Sequence, residues 1–106
     1  LDLLVRFRDE RDWGQFHDSK NLALALSIEA AELNELFLWK KEEEAEQVDR
    51  EKLREELADV FAYAIMLAGR HGLDVSEIVK DKIAKNAKKY PVEKSKGSSA
   101  KYGDLG

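Results

Sequence analysis

The sequence contains no cysteine, one proline and two histidines among its 106 residues. Without cysteine, neither a disulfide framework nor a thiolate zinc site can form. No apolar run approaches the roughly 20 residues that a membrane-spanning helix needs, and the first residues do not resemble a signal peptide. We therefore expect a cytoplasmic protein with no membrane partner.

Charge is abundant but unevenly distributed. Hydrophobic residues make up 43% and charged residues 38% of the chain, which is typical of a globular domain. The net charge is −4, yet from Ile78 onward eight lysines face three acidic residues, so that the preceding part carries −9. An acidic body with a basic end suits a polyanionic ligand that carries a metal ion, and argues against duplex nucleic acid. The alternative is a solvated, lysine-rich helix face.

The apolar periodicity predicts four helices and almost no strand. Their expected bounds are Leu1 to about Arg11, Asp18 or Ser19 to about Lys41, Asp49 to Arg70 or His71, and Asp74 to Tyr90. An acidic connector is expected over residues 42–48. Gly72 suits the left-handed end of the third helix, and Pro91 closes the fourth.

These elements predict one all-α domain over residues 1–91. The second and third helices are expected to pack antiparallel, and apolar residues on more than one face of each indicate that the bundle is completed by oligomerisation. Residues 92–106 are polar and rich in glycine and serine. We expect them to form a flexible C-terminal tail that would order over bound substrate.

Two acidic pairs interrupt the apolar stripes of the second and third helices. Glu29 and Glu32 form one pair, and Glu56 and Asp59 form the other. The i, i+3 spacing places both carboxylates of a pair on the same side of a helix. Four such groups brought together would repel one another unless they are protonated or neutralised by a cation. A divalent metal is the simplest neutralising group.

The missing residue types narrow the choice of metal. Di-iron bundles use Glu-x-x-His, but Gly14 and Ala68 precede the two histidines, His17 and His71, by three residues. Ligands that are all oxygen favour Mg²⁺, with Mn²⁺ as the alternative, and these ions share their coordination with substrate phosphates. The alternative structural interpretation is that the acids pair with lysine or arginine across a helical interface.

The two acidic pairs, separated by 23 residues, resemble the metal motif of the MazG-like all-α nucleoside triphosphate pyrophosphohydrolases. Further segments resemble the dCTP pyrophosphatases of this superfamily in the same order along the chain: ERDWGQFH, NLALALSIEAAELNELFLW, EELADVFAY, NAKKYP and GSSAKYGDL. The resemblance implies Mg²⁺-dependent hydrolysis of a deoxynucleoside triphosphate, dCTP or a modified dCTP above all, to the monophosphate and pyrophosphate. It also implies a homodimer or a dimer of dimers.

The resemblance further implies roles for individual residues. Glu29, Glu32, Glu56 and Asp59 would be the catalytic metal ligands. The substrate would be bound by Trp13, Gln15, Phe16, His17, Trp39, Tyr63, Asn86 and Lys89. Independently of the resemblance, Lys89 or Lys101 could stabilise the charge that develops on the leaving pyrophosphate. Two positions depart from the family pattern, since Gly14 replaces a larger polar residue and Leu4 replaces a histidine found in some members.

Two other functions stay open on the sequence alone. One is a house-cleaning pyrophosphatase that acts on another nucleotide such as dUTP or dATP, because the metal site does not contact the base. The other is a non-enzymatic helical interaction module whose acidic pairs bind lysines of a partner.

Overall fold

A computed structural model describes residues 1–92, which are mostly helical and include no strand. Its elements are α1 (Asp2–Glu10), a 3₁₀ turn (Trp13–Phe16), α2 (Ser19–Glu35), α3 (Glu42–Ala45), α4 (Arg50–Arg70) and α5 (Val75–Lys89). The chain divides into two compact units, one spanning residues 1–72 and the other beginning at Leu73. The all-α prediction is confirmed, while most of the predicted tail lies outside the described residues.

Aspartate side chains cap the three long helices at the residues where the sequence predicts that these helices begin. Asp18 accepts the Asn21 backbone N–H at 2.8 Å, and Asp74 accepts that of Glu77 at 3.0 Å. Asp49 accepts two backbone N–H groups at the start of α4. Each cap satisfies a donor that would otherwise lack an intrahelical partner. Gly72, with φ +66°, follows the end of α4 as expected.

The predicted end of α2 at about Lys41 is wrong, since the helix ends at Glu35. Beyond it the backbone tightens into turns, in which the Phe37 N–H donates to the Asn34 carbonyl at 3.0 Å. Trp39 then adopts φ +65°, a left-handed conformation that cannot continue a right-handed helix. The acidic connector that follows contains the single-turn helix α3.

Helices α2 and α4 pack against each other in antiparallel orientation, as predicted. Ser19, the first residue of α2, lies 2.8 Å (Oγ to Nε2) from His71, which follows the last residue of α4. Toward the opposite ends, carboxylates of α2 meet one from the first half of α4. Helix α1 packs on α4 in the same compact unit. The acidic pairs are therefore placed on facing helices.

The apolar core of the described residues is small. Only Leu22, Met66 and Ala68 are buried, with 1%, 8% and 8% of their surfaces exposed. Large apolar side chains on α2 and α4 stay substantially exposed, among them Leu24, Ile28 and Phe61. No helix within residues 1–92 combines the length and the apolar character needed to cross a membrane.

Candidate active site

Three of the four predicted metal ligands meet between α2 and α4. Glu29, Glu32 and Glu56 each contribute one carboxylate oxygen to a group in which all such atoms lie within 4.8 Å of one another. Glu29 and Glu32 are one turn apart on α2, and antiparallel packing brings Glu56 of α4 to the same level. We call these three residues the acidic cluster.

The acidic cluster is electrostatically strained in the absence of a cation. Burial, followed by the adjacent Glu32 carboxyl and the charges of Asp59 and Glu56, raises the pKa of Glu29 from 4.5 to about 7. Burial and the neighbouring carboxylates also raise the pKa of Glu56. Both shifts mean that the folded chain disfavours the ionised forms of these groups.

Unpartnered oxygens show that the acidic cluster suits a metal ion. Oε2 of Glu29 and Oε2 of Glu56 are buried and accept no hydrogen bond. The ion pairs within residues 1–72 involve other acids, namely Asp9, Glu10 and Glu51. Pairing of the cluster with basic residues of the same compact unit is therefore not observed. A set of carboxylate oxygens with free lone pairs fits a hard divalent cation.

Asp59, the fourth predicted ligand, lies one helical turn beyond Glu56. It falls outside the group of atoms within 4.8 Å, but its charge contributes to the raised pKa values of both Glu29 and Glu56. Asp59 also lines a pocket that extends along α4. It therefore links the acidic cluster to this pocket, and its role as a ligand stays a prediction.

The pocket has a volume of about 160 Å³ and lies between α1, the 3₁₀ turn and α4. Its lining residues are Leu4, Phe7, Arg8, Trp13, His17, Asp59, Ala62, Tyr63 and Met66. One end is thus acidic and the remainder is mainly apolar and aromatic. Such a cavity can enclose a flat ring whose charged extension points toward the acidic cluster.

Aromatic contacts shape the wall of the pocket. The Phe7 and Trp13 rings meet edge to face with centroids 5.6 Å apart. The Arg11 guanidinium lies over the Phe7 ring, 3.7 Å from its centroid, in cation–π geometry. His17 and Tyr63 form a second edge-to-face pair at 6.3 Å. These contacts join the aromatic side chains of α1, the 3₁₀ turn and α4 along the pocket.

Two polar groups in the pocket keep defined protonation states near neutral pH. Burial, assisted by the charge of Arg8, lowers the pKa of His17, so its ring is mostly neutral at pH 7. Its Nδ1 atom is buried and has no hydrogen-bond partner. Burial and the charges of Glu29 and Asp59 raise the pKa of Tyr63, so its hydroxyl stays protonated. Both groups are available to hydrogen-bond a ligand.

Several predicted substrate-binding residues lie outside this pocket. The Gln15 amide donates to the Asp12 carbonyl at 3.0 Å, and Phe16 is 59% exposed. Trp39 is 97% exposed in the turn after α2. Asn86 and Lys89 belong to α5, in the second compact unit, and Lys101 lies outside the described residues. The structure thus brings Trp13, His17 and Tyr63 together and leaves the other roles as predictions.

Helix α1 contributes pocket residues to which the sequence analysis assigned no binding role, although it named Leu4 as a departure from the family pattern. Leu4, Phe7 and Arg8 all line the pocket. Their i, i+3, i+4 spacing is the available sequence signal, since it places the three side chains on one face of a helix. That pattern alone does not identify the helix against which the face packs.

Comparisons with known proteins show a family and several relatives that this chain resembles. The sequence profile of the MazG-like family matches residues 24–105. The chain is 44% identical to bovine (Bos taurus) dCTP pyrophosphatase 1 and 42% identical to the human protein of that name, in each case over 97% of this chain. It spans 64% of the length of these relatives.

A solved structure is also similar. The crystal structure of a pyrophosphatase from Archaeoglobus fulgidus matches with a TM-score of 0.80 and 41% identity, covering 85% of this chain and 87% of that one.

Proposed function

Because the chain belongs to the MazG-like family, we propose that it hydrolyses a deoxynucleoside triphosphate, with dCTP or a modified dCTP as the preferred substrate, to the monophosphate and pyrophosphate. The observation that carries this proposal is the acidic cluster, with two buried, unpartnered oxygens, next to a pocket of about 160 Å³ that aromatic side chains line. The dCTP pyrophosphatase relatives support the choice of substrate.

Glu29, Glu32 and Glu56 would hold Mg²⁺, with Mn²⁺ as an alternative, and Asp59 would complete the set. When bound, the ion would neutralise charge on the triphosphate and lower the pKa of a coordinated water. This neutralisation is needed because a triphosphate carries about four negative charges near neutral pH, and without a cation the carboxylates would repel it. A cluster carboxylate oxygen not engaged with metal would accept the proton of the attacking water.

The pocket would bind the nucleoside. Trp13 and Phe7 offer ring faces and edges to a base, and stacking of this kind contributes roughly 1–3 kcal/mol per base. His17 and Tyr63 offer hydrogen bonds from the acidic side of the pocket. In the proposal, Tyr63 also senses the absence of a ribose 2′-hydroxyl because it lies one turn beyond Asp59, where the sugar would follow the phosphates.

We further propose that the chain acts as a homodimer or a dimer of dimers. Two features support this assembly: the core has only three buried residues within residues 1–92, and Leu24 and Ile28 expose about half of their surfaces on one face of α2. Trp39, with its side chain 97% exposed on a left-handed backbone, would cover the pocket of a neighbouring subunit. Lys89 and Asn86 would meet the phosphates.

Pyrophosphate release from a panel of nucleoside triphosphates, with and without Mg²⁺, tests the proposed function. Glu32→Gln should reduce turnover by at least about 100-fold because it removes a charge from the acidic cluster. Glu35→Gln, an exposed change on the same helix, is the matched control and should retain activity. If no triphosphate is hydrolysed, or if Glu32→Gln retains normal turnover, the proposal fails and the interaction module becomes the better explanation.

A further inference from the structure

Arg11 contacts two side chains of the pocket wall from outside the pocket. Within residues 1–72, the residues that line the pocket include Phe7 and Trp13 but not Arg11. The guanidinium carbon of Arg11 lies 3.7 Å from the centroid of the Phe7 ring and 5.9 Å from that of the Trp13 ring. Both distances are within the range of a cation–π interaction. Arg11 is therefore linked to the pocket through its aromatic wall.

The end of α1 explains why Arg11 reaches the Phe7 ring. Arg11 follows the last residue of the helix, and its backbone N–H donates to the Arg8 carbonyl at 3.2 Å. Its side chain donates from Nη1 to the Phe7 carbonyl at 2.9 Å, and so provides a partner for a carbonyl of the last helical turn. This bond holds the guanidinium beside the residue whose ring it covers.

The chain reverses after Arg11, which brings Trp13 back to Phe7. Asp12 has φ +57°, a left-handed conformation that aspartate tolerates better than most residues, and Trp13 begins the 3₁₀ turn. The Phe7 and Trp13 rings meet with centroids 5.6 Å apart and planes at 71°. Arg11, Phe7 and Trp13 thus form a single group of contacts at the end of α1.

The apolar core does not hold the two rings of this group. Phe7 is 49% exposed and Trp13 is 44% exposed. Within residues 1–72, their ring and cation–π contacts are those with each other and with Arg11. The ion pair of Arg11 with Glu10 is long, at 3.8 Å, and exposed, so it contributes little. The cation is therefore the main partner of the ring pair.

We infer that Arg11 is a positioning residue for nucleoside binding, which holds Phe7 and Trp13 in the geometry in which they meet the base. This inference rests on the proposed function. A half-exposed ring has to be ordered when a ligand binds, and this ordering weakens affinity unless the free protein already restricts the ring. Arg11 supplies the restriction and does not itself touch the substrate. Because the acidic cluster is built by α2 and α4, Arg11 acts on affinity and not on the chemical step.

The test measures kcat and KM for dCTP with Mg²⁺ in the wild type, Arg11→Ala, Arg11→Lys and Arg6→Ala. Arg11→Ala should raise KM by about three- to tenfold and change kcat by less than about twofold. Arg11→Lys should give an intermediate KM, because an ammonium group keeps the charge but lacks the planar guanidinium that stacks on a ring. Arg6→Ala removes the same charge from an exposed position of α1 and should behave as the wild type. Equal effects of Arg6→Ala and Arg11→Ala would mean that the charge only attracts the triphosphate, and would overturn the inference.

A double-mutant cycle shows whether Arg11 acts through Trp13. Trp13→Ala should raise KM by itself, and the addition of Arg11→Ala should change this KM by less than about twofold, because the ring to be positioned is absent. Multiplication of the two effects, or a lower kcat with an unchanged KM in Arg11→Ala, would overturn the inference. If Arg11→Ala does not fold, Arg11→Gln, which keeps a polar side chain without the cation, replaces it with the same expected result.

Binding measurements separate this inference from the proposed reaction. In calorimetric titration with Mg²⁺ and a non-hydrolysable α,β-methylene analogue of dCTP, Arg11→Ala should raise the Kd by the same factor as the KM. Arg11-dependent binding without hydrolysis would refute only the reaction. Normal hydrolysis with equal binding by the wild type and Arg11→Ala would refute only the role of Arg11. Failure of the wild type to bind the analogue would refute both.

Discussion

Replacement of Glu29 by glutamine should change stability in opposite directions with and without metal. In the metal-free protein the pKa of Glu29 is raised from 4.5 to about 7. The folded state therefore disfavours the ionised carboxylate, and the wild type should lose stability as the pH rises from about 4.5 through about 7. Glutamine has nearly the same shape and no charge, so Glu29→Gln should be more stable than the wild type at pH 8. This advantage should disappear near pH 4.5.

The size of this effect can be estimated from the shift. A difference between 4.5 and about 7 would correspond to about 3 kcal/mol if it were fully realised, and solvent screening at a half-buried group reduces it to about 1 kcal/mol. For a domain of this size, a change of 1 kcal/mol moves Tm by about 4–8 °C. Metal-free Glu29→Gln should therefore melt about 5 °C above the wild type at pH 8.

Metal and nucleotide should reverse this order. A ligand at 100 times its Kd stabilises the folded state by about 2.7 kcal/mol, so Mg²⁺ with a non-hydrolysable dCTP analogue should raise the Tm of the wild type by about 10 °C or more. Glu29→Gln should lose most of this increase because it lacks one ligand charge. Differential scanning calorimetry at pH 5 and pH 8, with EDTA or with Mg²⁺ and the analogue, measures both effects.

Glu35→Gln is again the matched control and should follow the wild type in all four conditions. If metal-free Glu29→Gln is less stable than the wild type at pH 8, the carboxylate has a stabilising partner and the electrostatic argument is wrong. If Mg²⁺ and the analogue stabilise Glu29→Gln and the wild type equally, Glu29 is not a ligand.

Three further changes test other parts of the structure. Tyr63→Ala should increase kcat/KM for CTP relative to dCTP, since it opens space for a 2′-hydroxyl, whereas an unchanged ratio would remove Tyr63 from sugar recognition. Ser19→Ala should lower Tm by about 5 °C because the bond to His71 is lost, and Ser27→Ala, whose hydroxyl bonds only within its own helix, is the control. Gly72→Ala should cost about 1 kcal/mol in thermal or urea unfolding, because φ is +66° there and nothing lies within 4 Å of an added Cβ.

Most of the helix bounds that were predicted correctly depend on residues at the helix ends themselves. The caps at Asp18, Asp49 and Asp74 and the left-handed Gly72 depend on neighbouring backbone groups, which the sequence specifies directly. The end of α2 was not predictable in this way. Leu36, Phe37 and the residues that follow continue an apolar periodicity, and no glycine or proline marks the turn at which Trp39 adopts a positive φ.

In the candidate site, too, the features set by the local sequence were predictable and those set by tertiary packing were not. The two acidic pairs were recognisable because carboxylates stand in apolar stripes, and the structure confirms that Glu29, Glu32 and Glu56 converge. The contribution of α1 depends on how α1 packs against α4, which is a tertiary property. Periodicity could place Leu4 and Arg8 on one face but could not identify the pocket that this face lines.

The antiparallel pair of α2 and α4 is held together differently at its two ends. At one end, Leu22 packs in the small core, and the adjoining Ser19 bonds His71 at 2.8 Å. At the other end, about 10 Å along α2, the acidic cluster contributes repulsion rather than packing. Stable packing at the first end allows the carboxylates to converge without a cation, at the expense of raised pKa values. A divalent ion would therefore bind a largely preformed site. It would hold α2 and α4 together at the acidic end, as the apolar core does at the opposite end.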